Sequence, residues 1–92
     1  MEVSIVVPAY NEAGNLDRLV DRVLSTLADT EVDPELVLVD DNSTDETPEI
    51  CDRLAAENPE VVVVHRTGDS GFGNAIKAGL EHSTGEVVVP FM

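Results

Sequence analysis

Four short apolar runs punctuate the chain, and three stretches of helical periodicity lie between them. "VSIVVP" (Val3–Pro8), "ELVLVD" (Glu35–Asp40), "VVVVH" (Val61–His65) and "EVVVPFM" (Glu86–Met92) are β-branched and nearly continuous. Strands of this kind are covered on both faces, so the runs predict a parallel sheet between two helix layers. After the first run, Leu16, Leu19, Val20, Val23, Leu24 and Leu27 recur every three or four residues, one apolar stripe of a helix. Asn11 is its expected N-cap, with Glu12 in its first turn near the positive end of the helix dipole. In the second helix, Ser43 and Glu46 have capping-box spacing, Pro48 suits the first turn, and Ile50, Leu54 and Ala55 make the stripe. The third helix follows "GDSGFG" and is expected to bury Phe72, Ala75, Ile76, Gly79 and Leu80 before Gly85 ends it.

This β-α-β-α-β-α-β order predicts an α/β fold, a three-layer Rossmann-like half-fold. Right-handed crossovers give a mostly parallel sheet with strand order 3-2-1-4. The 92 residues make one domain, without repeats or linkers. A fourth strand at the sheet margin would leave an edge and a face bare. The expectation is therefore the N-terminal part of a longer protein, whose isolated piece associates with itself through that strand.

Composition changes the picture in two ways. With one Tyr, two Phe and no Trp, the core has to be aliphatic. Nineteen acids against five Lys and Arg give a net charge of −14, and Lys77 is the only lysine. Such a field repels nucleic acid and anionic lipid. The acids are scattered over predicted outer helix faces, which reads as a solvated surface adapted to high salt, with a cation-binding surface as the alternative. Cys51 is single, so no disulfide closes within the chain, and its place beside Ile50 and Leu54 predicts a small buried or half-buried residue in preference to a reactive thiol. No apolar run is long enough for a membrane span.

Ligands of open parallel sheets bind beyond the carboxyl ends of the strands, at the switch point, here between strands 1 and 4. The segments leaving strands 1, 2 and 3 at that rim are "PAYNE", "DDNSTD" and "RTGDSGFGN", which are also the polar, turn-forming stretches. Tyr10 could lie against a base or sugar. One of Asp40 and Asp41 is expected to project into the cleft and accept from ribose hydroxyls or a base N–H, the other to turn back onto backbone N–H groups. Asp45 reads as a turn residue. Gly71 and Gly73 would let the backbone turn tightly and approach a ligand, and Lys77 could answer an acid or a phosphate. His65 and His82 have no partners at ligand spacing and receive no role.

Other motifs fit less well. A phosphoacceptor pocket needs its acid pair after the first strand, and here the pair follows the second. "DNSTDETPEICD" echoes a calcium loop but has Glu46 where the turn needs glycine. "GFGNAI" lacks the third glycine of a dinucleotide fingerprint and follows the wrong strand.

Taken together, "IVVPAYNE", "VLVDDNSTDET" and "GFGNAIKAGLEHSTGEVVV", in that order and spacing, resemble glycosyltransferase family 2, from Val3 to Met92. "DDNSTDET" and "VVVPFM" look most like the polyprenyl-phosphate branch, which includes dolichol-phosphate mannosyltransferase. The resemblance implies the GT-A fold. It also implies transfer of a hexose from a GDP- or UDP-sugar to an acceptor such as a polyprenyl or dolichyl phosphate, by inverting, metal-dependent displacement at the cytoplasmic membrane face. It assigns Pro8, Ala9, Tyr10 and Glu12 to the nucleoside, and Asp40 and Asp41 to the base and ribose. Phe72 stands where the family often has a basic residue, and Asp69 where it often has asparagine. The family's Asp-x-Asp motif for Mg²⁺ or Mn²⁺ follows the fourth strand, so its ligands are expected beyond residue 92. On this reading the 92-residue chain alone is inactive. The rival reading is a non-catalytic α/β module that binds a nucleotide or a cation.

Overall fold

The computed structural model describes residues 2–68, 71–83 and 87–90. Its elements are β1 (Glu2–Ala9), α1 (Leu16–Ala28), β2 (Asp33–Asp41), α2 (Thr47–Glu57), β3 (Val61–Arg66), α3 (Phe72–His82) and β4 (Val87–Pro90). The strands form one sheet in the order β3-β2-β1-β4, and every pairing is parallel. Gly85, Glu86, Phe91 and Met92, which the sequence reading assigned to a helix stop and a longer fourth strand, lie outside the described residues.

Side chains alternate across a strand with period two, and this sorts the core into two halves. Ile5, Val7, Leu36, Leu38 and Val61 face α1 and α2, meeting Leu16, Val20, Val23, Cys51 and Leu54. Val6, Val37 and Val39 face α3 and meet Ala75, with Val64 and Ile76 at the margin. The central strands β1 and β2 are thus buried on both faces, and each fully buried Val or Leu contributes roughly 1.5–3 kcal/mol. On β3 the same expectation fails. Val62 is exposed and Val63 and Val64 only half-buried, because β3 is the sheet edge and has a strand neighbour on one side alone.

Three other expectations are corrected. Asn11 is not the N-cap of α1 and Glu12 is not in its first turn. The helix begins at Leu16 behind Asn15, with Asp17 as its first-turn acid. The turn between is held by the Glu12 carbonyl, which accepts the N–H groups of Asn15 and Leu16. Ser43 and Glu46 do not form a capping box. α2 begins at Thr47 with Glu46 as N-cap and no side-chain cap bond, although Pro48 does sit in the first turn. On α3, Leu80 is 46% exposed instead of buried. The helix approaches the sheet through Gly79, where an added Cβ would lie 2.2 Å from Val6 Cγ1. Backbone replaces side chain at that contact, and the stripe is rotated away from Leu80.

Cys51 is fully buried, as its place in the helical stripe predicts, and burial pushes its thiol up to about 12.

Two outcomes follow from packing and charge. Gly79→Ala forces α3 away from β1 and should cost about 1–3 kcal/mol in a denaturant unfolding curve; unchanged stability would show that the contact is loose. Because exposed acids so outnumber bases, the melting temperature should rise between about 0.1 M and about 2 M KCl as screening shortens the range of self-repulsion. A melting temperature that falls over that range would assign the dominant electrostatic effect to attractive pairs such as Arg53 with Asp17 and Glu57.

Candidate functional site

The adjacent acids at the end of β2 point to opposite faces of the sheet, and each has a base directly across the ladder. In the β2–β3 register Asp40 pairs with His65, and Asp41 with Arg66. His65 Nδ1 lies 3.0 Å from Asp40 Oδ2, on the face covered by α1 and α2. Arg66 Nη1 donates to Asp41 Oδ1 on the α3 face. Both carboxylates are buried, Asp40 at 4% and Asp41 at 5% exposure. A buried charge without a partner would cost several kcal/mol, so these pairs are what allows two acids to end a core strand.

His65, to which the sequence reading gave no role, therefore has two partners. Its Nε2 lies 2.8 Å from Asp52 Oδ1 on α2. The imidazole is held above its ordinary value, first by the hydrogen bond to Asp40 and then by that to Asp52. A signal for this was present in the sequence. Sliding "LVLVDD" against "VVVVHR" with their ends aligned sets each acid opposite a base, but the register had to be known.

The carboxylate of Asp41 also reaches the loop after β3, where its Oδ2 accepts the Gly71 N–H at 2.8 Å. Asn42, in the left-handed region at φ 59°, donates from Nδ2 to the Gly68 carbonyl at 3.1 Å. Asparagine is among the few residues other than glycine that adopt this conformation readily.

The hydroxyl-rich stretch after β2 binds the loop after β1. Asn11, itself left-handed at φ 51°, donates its N–H to Ser43 Oγ at 3.1 Å. Glu12 N–H donates to Thr47 Oγ1 at 2.9 Å, and Ala13 N–H to Asp45 Oδ2 at 3.4 Å. In return Thr44 N–H donates to Asn11 Oδ1 at 2.8 Å, and Ser43 Oγ donates to the Ala9 carbonyl at 3.4 Å. Asp45 is the expected turn residue, accepting the N–H and hydroxyl of Thr47, and these bonds hold its carboxyl below the usual range, the hydroxyl contributing most. Among the described residues, no buried side-chain nitrogen or oxygen lacks a partner.

The rim thus joins Ala9–Ala13 and Asp40–Thr47 with Gly68 and Gly71. Of the sequence-predicted site residues, Pro8 and Ala9 end β1, and Tyr10 and Glu12 follow it with exposed side chains. Gly73 and Lys77 are exposed on α3 and not in the loop, and a Cβ on Gly73 would meet nothing within 4 Å. The tight-turn role read for Gly73 is therefore corrected. Asp69 lies outside the described residues. Among the described residues no group of three or more His, Cys, Asp or Glu side chains could hold a metal ion. Asp40 and Asp41 are committed to protein donors, so the side chains on view do not fit a divalent cation. Among the same residues, no helix is long and apolar enough to cross a membrane.

Parallel order, helices on both faces and a polar rim beyond the carboxyl ends of β1, β2 and β3 define an open, Rossmann-like α/β fold. The family model for glycosyl transferase family 2 matches residues 4–91, and the chain belongs to that family. It is 39% identical over 96 residues to glycosyltransferase AglD of Haloferax volcanii, covering 99% of this chain and 15% of that protein. It is 37% identical over 89 residues to a dolichol-phosphate mannosyltransferase of Pyrococcus furiosus, covering 97% of this chain and 24% of that protein. The fold matches that of mannosyltransferase PcManGT from Pyrobaculum calidifontis, solved in complex with GDP-Man and Mn2+. The TM-score is 0.78 at 33% identity, over 94% of this chain and 25% of that one. The chain thus spans a quarter or less of each of these relatives.

Removing the Asp41 carboxylate leaves Arg66 largely buried opposite an apolar side chain. Asp41→Ala should therefore lower unfolding free energy by about 3–5 kcal/mol, against about 0.5–2 kcal/mol for Asp45→Ala, a cap-like contact at the start of α2. Equal losses in urea titrations would mean that Arg66 relaxes to solvent at little cost.

Proposed function

We propose that this chain is the donor-nucleotide part of a glycosyltransferase that moves a hexose from a GDP- or UDP-sugar to an acceptor, a polyprenyl or dolichyl phosphate. The observation that carries this reading is the tying of the loops after β1, β2 and β3 into one rim beyond the carboxyl ends of these strands, in a chain of this family. The Pyrococcus relative's name supports the lipid-phosphate acceptor, and the GDP-Man complex of the Pyrobaculum enzyme supports a nucleotide-sugar donor. A high-salt setting is supported by the net charge of −14 and by the Haloferax relative.

In this reading Pro8 and Ala9 stiffen the exit of β1, Tyr10 offers its ring to the base, and Glu12 and Asp41 accept from ribose hydroxyls or a base N–H. A carboxylate has about four lone-pair sites, so Asp41 can serve Gly71, Arg66 and Asn42 and still take one ligand donor. Asp40, already shared between Ser43 and His65, acts as the support beneath it. Gly71 and Gly73 flank the approach to the sugar diphosphate, and Lys77 stands one turn further along α3. The acceptor oxygen displaces the nucleoside diphosphate in one inverting step. Mg²⁺ or Mn²⁺, held by residues beyond 92, would neutralise the leaving diphosphate. We place the 92 residues as one domain of a cytoplasmic enzyme working at the membrane face, with transfer itself needing the longer chain. Contact between β4 edges would make the isolated piece self-associate.

A second reading is favoured by the engagement of both Asp40 and Asp41 by protein donors: a module in which both acids are purely structural. Calorimetry separates the two. GDP or UDP should bind this chain with millimolar affinity or better, and Tyr10→Ala should weaken binding by about 1–3 kcal/mol, the value of one base–aromatic stack. No heat with either nucleotide, with or without Mn²⁺, would favour the structural module.

A further inference from the structure

We propose that His65 is a positioning residue, a doubly protonated imidazolium that bridges α2 to β2 and so fixes the backbone on both sides of Tyr10. The argument begins with the ring. Nδ1 is 3.0 Å from Asp40 Oδ2 and Nε2 is 2.8 Å from Asp52 Oδ1. Ionised carboxylates only accept, and a neutral imidazole has one donor. With both nitrogens facing carboxylates, the arrangement is complete only when the ring carries both protons.

From Asp40 the contacts run to the rim. Its second oxygen, Oδ1, accepts the Ser43 N–H at 3.3 Å. The Ser43 hydroxyl accepts the N–H of Asn11 and donates to the carbonyl of Ala9. Ala9 and Asn11 are the neighbours of Tyr10, so one hydroxyl clamps the residues before and after the exposed ring. Asn11 is left-handed, a conformation asparagine tolerates but does not hold on its own, and the clamp selects it. His65 touches none of the proposed ligand positions. It acts through Asp40 and Ser43.

The groups facing His65 are Asp40 from β2 and Asp52 from α2; the Cys51 thiol, near both carboxylates, is pushed up to about 12, chiefly by burial. Arg66, its neighbour on β3, is turned to the other face and paired with Asp41. The imidazole is held above its ordinary value of 6.5. A raised folded-state value means that the clamp is fully set below the unfolded value and is released as pH climbs through the folded one. The link to nucleotide affinity rests on the donor-site reading above; the link from His65 to the rim backbone does not.

The test is a pH titration of this chain by ¹⁵N NMR. Both ring nitrogens of His65 should be protonated at pH 6, and the amide signals of Ser43 and Asn11 should shift with the same midpoint as the ring, above 6.5. His65→Leu should remove that midpoint from both amides. His65→Arg, cationic throughout, should keep the low-pH positions of both amides at every pH. GDP or UDP affinity should fall roughly three- to tenfold across the midpoint, the scale of one lost hydrogen bond, and in His65→Arg it should not. A singly protonated ring at pH 6, or Ser43 and Asn11 amides that ignore its titration, would overturn the proposal even if no variant folds. Should the amides follow the ring while no nucleotide binds at any pH, the clamp stands and the donor-site reading falls.

Discussion

The structure depends on the neutralisation of two consecutive buried acids by two consecutive bases on the next strand. β2 is the deepest part of the fold, buried from Leu36 to Asp41. Ending it on two carboxylates is tolerable because the pleat turns them apart and the register supplies His65 to one and Arg66 to the other. From these two pairs the rim is built in both directions. Asp41 reaches the loop that opens α3, and Asp40 reaches the Ser43 turn that carries the loop after β1.

Much of this architecture was legible in the chain. Continuous β-branched runs announced buried parallel strands, and the three- and four-residue spacing of Leu16 to Leu27 announced α1. What could not be read was whatever depends on long-range partners. Ser43 and Glu46 have capping-box spacing, yet the Ser43 hydroxyl meets Asn11 and Ala9, thirty or more residues away, in place of the helix that follows it. Asn11 is a good capping residue by type, but the left-handed turn it enters delays α1 to Leu16. Leu80 continues a local stripe, and the close approach of Gly79 to Val6 turns it outward. Local chemistry proposed a partner in each case, and tertiary geometry supplied a better one.

At the rim, the sequence located the loops correctly and misjudged the division of labour within them. One of Asp40 and Asp41 was expected to face a ligand and the other to turn back onto backbone N–H groups, with no strand partner for either. The structure separates them by sheet face, and it shows that the hydroxyls of "DNSTDET" are spent on the neighbouring loop. His65 escaped notice because a histidine's partners are found by register and not by spacing along the chain.

The bonds that Thr47 and Asp45 make to positions 12 and 13 engage only main-chain N–H groups. Every amino acid but proline presents the same donor there. A scaffold that grips its neighbour by the peptide unit is indifferent to what projects from it, so the outward surface at Glu12 and Ala13 can be rewritten for a new ligand without redrawing the path of the chain.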